Sequence, residues 1–197
     1  MSPDQTDSLV FDASVTINLL GTGIAGRLIR LLDCPVIMPD QTFREIGRHP
    51  IKGCDHVAEL DDLIRAGFLH VETLSSVSKE LFLDLISDNL AGGLDDGEAA
   101  AIALAAAKGL SAVIVTDDRK ARNLLTRRWP QQHLWYSIDL FTKNRIAAAL
   151  GRPVLADAVY SALAHARMRV PPRSRPWVVD LIGDDRAANC LSLGAIP

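Results

Sequence analysis

The chain has 197 residues, of which 48% are hydrophobic and 23% charged, enough to build a sizeable core and too apolar for global disorder. A net charge of −3 excludes a uniformly basic, nucleic-acid-coating protein but leaves room for a local basic patch beside an acidic site. The polar start "MSPDQTDSLV" is no signal peptide, no run of 18 apolar residues spans a membrane, and Cys34, Cys54 and Cys190 are too scattered for a disulfide framework or a zinc site. Cys54 and His56 are neighbours, but two potential ligands in one loop are read as incidental. The expected setting is a reducing cytoplasm, with no membrane association.

Taken in order, "SLVFDA" reads as a first strand, followed by helical stretches from Ser14 to Leu20 and from Ile24 to Leu32. "PVIMP" is a second strand, and a helix starting at Asp40 or Thr42 runs toward Gly47 and Pro50. "CDHVAELDDLIRAG" places Val57, Leu60, Leu63 and Ile64 at helical spacing before the stop at Gly67. "FLHVETL" is a strand, and "SKELFLDLISD" an amphipathic helix with Leu81, Phe82, Leu85 and Ile86 on one face. "LDDGEAAAIALAAAKG" is an alanine-rich helix stopped by Gly109, and "SAVIVTDD" is the clearest buried strand. "RKARNLLTRRW" is helical, and "HLWYS" with "IDLFTKNRIAAALG" repeats the strand-then-helix order. Such alternation predicts an α/β layer fold around a mainly parallel sheet. Beyond Gly151 a further helix, "LADAVYSALAHARM", precedes a proline-rich loop, "RVPPRSRP", and the tail from "WVVDLIG" onward. The expected organisation is one domain over residues 1–150, with a helical extension and tail, 151–197, packed on it.

Residues 21–26 read "GTGIAG", a literal match to the dinucleotide-binding fingerprint, with Asp40 nineteen residues after Gly21. In a dinucleotide fold the first glycine leaves the strand directly, so that pyrophosphate meets the next helix N-terminus. Here the strand ends at Asp12, and "DASVTINLL" intervenes as a capped helix with Ser14 or Asp12 as N-cap. The glycines are therefore expected to join two helices, and Asp40 to cap a third.

Ligands of parallel sheets collect outside the carboxyl ends of the strands. Asp12 ends the first strand, and Asp117 and Asp118 end "AVIVT". Glu45 lies in the helix after the second strand, and Asp95, Asp96 and Glu98 open the alanine helix. In sequence Arg44 adjoins Glu45 and Arg119 follows Asp118, while no Lys or Arg adjoins the other acids. Each acid alone has a structural use: Asp95 with Glu98 fits a capping box, and Asp117 or Asp118 can cap the next helix. Together, four carboxylates aimed at one sheet edge would repel by about 1 kcal/mol or more per close pair. A cation removes that cost, and oxygen-only ligands select Mg²⁺ or Mn²⁺, ions that act on phosphoryl groups.

The segments "LVFDASVTINLL", "LDDGEAAAIALA" and "VIVTDDRKARNLL", in this order and spacing, resemble the PIN-domain family of metal-dependent nucleases, most closely its VapC-like toxin branch. The resemblance covers residues 8–150 and implies a three-layer α/β/α sandwich with an acidic pocket for one or two divalent ions. Carried over position by position, the family's acids fall on Asp12, Glu45, Glu98 and either Asp117 or Asp118. Ser14 matches the small polar residue after the first aspartate and would bond a metal-bound water or a ligand carboxylate, with Asn18 placed to assist or to serve its helix face. The resemblance also implies RNA as substrate, a homodimer, and a small antitoxin protein as inhibitor.

The implied reaction is phosphodiester hydrolysis by a water activated on Mg²⁺ or Mn²⁺. Asp12, Glu98 and Asp117 would hold the main ion, and Glu45, Asp118 and Asp96 a second ion or the attacking water. No histidine is needed, and the five histidines lie outside all three motifs. The segment 119–128 carries five basic residues and no acid, and its stripe of Ala121, Leu124 and Leu125 leaves Arg119, Lys120, Arg122 and Arg127 outward for RNA phosphates or for solvent. A second cluster, Arg167, Arg169, Arg173 and Arg175, surrounds "VPPRSRP" and is read as a solvated loop, with contact to RNA or a partner protein as the alternative. The alternative to a nuclease is a non-catalytic module of the same fold that binds RNA or a protein.

Overall fold

A computed structural model describes residues 8–46, 56–87 and 94–193. Five short strands, β1 (Ser8–Phe11), β2 (Val36–Pro39), β3 (Leu69–Glu72), β4 (Ala112–Val115) and β5 (His133–Trp135), form one sheet in the order β3-β2-β1-β4-β5. Every pairing is parallel, and Val10 of β1 sits between Ile37 of β2 and Ile114 of β4. β1, β2 and β4 are buried along their whole length, as inner strands covered on both faces must be.

Side chains alternate between two cores with the two-residue period of a strand. Leu9, Phe11, Val36, Met38, Val113 and Val115 enter one core, while Val10, Ile37, Ala112 and Ile114 enter the other. The second core is closed by α5 (Ser76–Ser87), α6 (Asp96–Lys108) and α7 (Arg119–Arg128). Ala99, Ala101, Ala103 and Ala105 of α6 are fully buried, so this helix carries alanine where it packs, and Gly109 ends it with φ +68°. The first core is closed by α1 (Ala13–Leu20), α2 (Ala25–Arg30), α3 (Asp40–Ile46), α4 (His56–Arg65) and α8 (Ser137–Phe141), together with α9 (Asn144–His165), α10 (Arg175–Ile182) and α11 (Asp184–Ala188). The result is a three-layer α/β/α sandwich. Leu155, Val159, Leu163, Met168, Val178 and Leu193 belong to the same core as Leu9 and Phe11 of β1.

Several expectations need correction. Val57 is 46% and Ile86 47% exposed, whereas Leu60, Leu63 and Leu85 are buried. Both exceptions lie in terminal helical turns, which neighbours cover least. Asp40 sits in the first turn of α3 and pairs with Arg44 one turn on, a local use of its charge. The part of the α3 pattern beyond Ile46, and Cys54, lie outside the described residues. α9 is long and apolar enough by composition to cross a membrane, although the sequence holds no unbroken apolar run of that length. It is broken at Gly151 (φ 73°, ψ 157°), and its longer arm, 152–165, falls short of the ~20 residues a span requires. Ile146, Leu155, Val159 and Leu163 bury that helix in the first core instead.

The glycines of "GTGIAG" join α1 to α2. Gly21 follows the last residue of α1 with ordinary helical angles, Gly23 supplies φ +71°, and the Thr22 hydroxyl donates to Leu19 O at 2.5 Å. No strand precedes them, so the dinucleotide reading fails on connectivity. Gly21 has a different reason to lack a side chain: a Cβ there would stand 2.9 Å from Cβ of Ala166, below any normal carbon contact. Gly21→Ala should therefore lower stability by about 1–3 kcal/mol through overpacking. Adding Ala166→Gly should recover most of that stability in urea denaturation; a harmless Gly21→Ala would contradict the packing.

Candidate active site

β1 leads to strands on one side of the sheet and β4 to the strand on the other, so the gap beyond their carboxyl ends is a topological switch point. Asp12 leaves β1 there, and Thr116, Asp117 and Asp118 leave β4. Asp12 caps α1: its Oδ1 accepts from the Val15 amide and the Ser14 hydroxyl, both at 2.8 Å. Its Oδ2 is buried without a well-formed hydrogen bond, and the residue is only 1% exposed. Burial raises the Asp12 pKa above the ordinary carboxylate value, and the neighbouring Thr116 hydroxyl and the cap offset only part of this.

Asp117 is held from both sides. The Ser137 amide donates to Oδ1 at 2.8 Å, and Asn18 Nδ2 donates to Oδ2 at 2.7 Å and to the Ser137 hydroxyl at 3.0 Å. Asn18 is thus 4% exposed and ties α1 to β4 and α8 across the switch point. Burial raises the Asp117 pKa to about 6 despite these bonds. Asp118 works differently, because its Oδ1 caps α7 by accepting from the Lys120 and Ala121 amides at 2.6 and 2.9 Å.

Glu98 faces Asp118 from α6 across the same cleft. It belongs to a capping box, in which Asp95 accepts from the Glu98 amide at 2.7 Å and Glu98 accepts weakly from the Asp95 amide at 3.4 Å. Burial first, and then the charges of Asp95, Asp118 and Asp12, push the Glu98 pKa up to about 8. Glu45 reaches the same helix start from α3: a Cβ on Gly97 would collide with Glu45 Oε2, so only glycine lets that carboxylate lie there undisturbed. The Thr42 hydroxyl, donating to Gly97 O at 3.1 Å, fixes α3 in this position.

The cleft has a volume of about 230 Å³, below the roughly 300–1,000 Å³ of drug-sized ligand sites. It suits a small anion or hydrated ion better than a dinucleotide. Ser14, Asn18, Glu98, Asp117 and Asp118 line it. Asp96 is exposed and does not line it; Asp95 takes the N-cap and turns the next residue outward. Arg119 and Lys120 are exposed at the start of α7. Arg122 is not outward. Its Nη1 donates to Thr116 O at 2.9 Å and Trp135 O at 2.8 Å, and its guanidinium lies 3.3 Å from the Tyr136 ring centroid. It satisfies carbonyls at the ends of β4 and β5, so its role is to position Asp117's strand end. Thr116 and Ser137 were unforeseen, and Arg167 and Arg169, read from the sequence as part of a solvated loop, stand on the rim. Ser137 had a legible signal, since it too follows the carboxyl end of a parallel strand. The arginines were visible as a basic cluster, but their distance in sequence from the acids gave no sign that the two meet.

A family model described as a PIN domain matches residues 8–128. The chain belongs to the PIN-domain family, whose fold is of nuclease type and whose members are generally hydrolases using divalent metal ions. No curated protein and no solved structure matches it.

The donor set fits such an ion chemically: hard carboxylate oxygens, one buried and orphaned at Asp12, two others held partly protonated near neutrality. Among the described residues, however, no three His, Cys, Asp or Glu side chains already form a finished metal-binding group. Protons stand in for positive charge. Because the folded-state values of Glu98 and Asp117 are raised, the native protein holds protons that the unfolded chain releases near 4.5 and 3.8. Metal-free stability should therefore fall as pH rises from about 4 to 8. Thermal melts should show Mg²⁺ or Mn²⁺ raising Tm more at pH 8 than at pH 5.5; an equal or absent effect would contradict the assignment.

Proposed function

We propose that the protein is a divalent-metal-dependent endoribonuclease. The observation that carries this is the buried, unpartnered Oδ2 of Asp12 beside two carboxyls whose pKa values are raised. Asp12, Glu98 and Asp117 would hold the ion, Asp118 and Glu45 would bond its waters, and Ser14 would orient the Asp12 carboxylate. When bound, Mg²⁺ or Mn²⁺ lowers the pKa of water and stabilises charge on a phosphoryl group. The chain's own contribution is to hold the acids rigidly. Asn18 and Ser137 lock Asp117, the α1 cap locks Asp12, and the α6 cap restrains Glu98. RNA is the proposed substrate, supported by the family and by the exposed Arg119 and Lys120 near the cleft.

The finer biology is proposed on the likeness of the three motifs to VapC-like toxins: a cytoplasmic toxin, dimeric, restrained by a small antitoxin. The free thiols of Cys34 and Cys190 accord with a reducing compartment.

A second reading, a non-catalytic RNA- or protein-binding module, draws on the engagement of both Asp117 oxygens and the capping work of Glu98 and Asp118. Cleavage of mixed RNA oligonucleotides in EDTA, Mg²⁺ or Mn²⁺ separates the two. Wild type should cut only with metal. Asp12→Asn and Glu98→Gln should lose about 10²-fold or more of the rate, the scale of removing a charge-stabilising group. Both variants should melt at or above the wild-type temperature without metal, because like-charge crowding is relieved. Binding without turnover under every condition would select the second reading.

A further inference from the structure

Beyond α9 the chain reads Ala166-Arg167-Met168-Arg169-Val170 and crosses the mouth of the acidic cleft. Its residues alternate. Met168 is fully buried and Val170 is 5% exposed, both in the first core, while Arg167 and Arg169 line the cleft opposite Glu98, Asp117 and Asp118. The placement is fixed from below: the Met168 amide donates to Ala162 O at 3.1 Å, and Ala166 lies against Gly21, where no side chain fits.

Neither arginine is used up by the fold. Arg169 Nη1 is 3.7 Å from Asp118 Oδ2, beyond hydrogen-bond distance, and its side chain is 63% exposed. Arg167 makes no hydrogen bond or ion pair among the described residues, yet its backbone holds the left-handed conformation, φ 58°. Glycine would take that turn at lower cost, so the turn alone does not call for this side chain. Two forked cations stand beside an acidic floor, and both retain donors for oxygen ligands.

We propose that Arg167 and Arg169 are the phosphate-binding side of the cleft, gripping the backbone phosphodiesters of a single RNA strand whose scissile group lies over the carboxylates. This deepens the nuclease reading and rests on it for the identity of the strand. The two residues lie outside the matched family region, 8–128, so this half of the site is supplied by the C-terminal segment.

The test uses a fluorescent single-stranded RNA oligonucleotide and the full chain carrying Glu98→Gln, so that binding is read without cleavage. Arg167→Gln with Arg169→Gln should weaken binding about ten-fold or more and flatten the slope of log K against log[salt] by about 1.4, near 0.7 for each phosphate no longer neutralised. Lysine at both positions should restore the slope but only part of the affinity, since it lacks the fork. Arg175→Gln, exposed and outside the cleft, should change neither. In otherwise wild-type protein the double change should raise KM for cleavage more than it lowers kcat.

Unchanged affinity and slope would overturn the proposal while leaving metal-dependent cleavage standing. Tighter binding or faster cleavage would also overturn it, by making the pair a clamp on Asp118. If wild type never cleaves but the arginine-dependent slope is found, the nuclease reading fails and the phosphate site survives.

Discussion

The organising constraint of this structure is the crowding of carboxylates in a poorly hydrated gap. Asp12, Asp117 and Glu98 come from β1, β4 and α6, and parallel pairing of the two strands brings their ends together. Burial raises all three pKa values, and neighbouring carboxylates, Asp95 beside Asp12 among them, raise them further. A fold gains nothing by burying an unpartnered acidic oxygen such as Asp12 Oδ2. The sandwich carries that cost on two apolar cores, with Asp12, Asp117 and Glu98 each seated at a helix terminus or strand end.

Those seats explain how the site is made rigid without a metal. The caps at Asp12, Asp95 and Asp118 each hold an acid through backbone amides, whose partial positive charge also softens the repulsion. Asn18 bridges Asp117 and Ser137, so α1, β4 and α8 share one polar knot. Arg122 braces the same strand ends from outside. Capping a helix and facing the cleft are therefore compatible uses of the same acid. One carboxylate oxygen serves the helix while the other faces the cleft or stays unpaired, as at Asp12 and Asp118.

Local signals made much of this legible in the sequence. The β4 run "AVIV", the alanine helix with its D-x-x-E opening, and the stop at Gly109 all follow from pattern and cap chemistry, and together they define the sheet and its acidic edge. The failure of "GTGIAG" as a nucleotide turn was readable too, because Asp12 to Leu20 had to be a helix first. Long-range packing was not readable. The reason for Gly21 is Ala166, the partner of Arg122 is the end of β5, and the arginines beyond His165 reach the cleft only because Met168 and Val170 anchor them. Periodicity places a residue on a face, but it does not say which distant segment meets that face.

The most direct test is calorimetric titration of Mn²⁺ into the protein at pH 7, in two buffers of different ionisation enthalpy. With Glu98 poised near 8, metal binding should release protons, about one of them from Glu98, and Glu98→Gln should lower the release by about that one. Binding without proton release, or no binding at all, would contradict a metal site at this switch point.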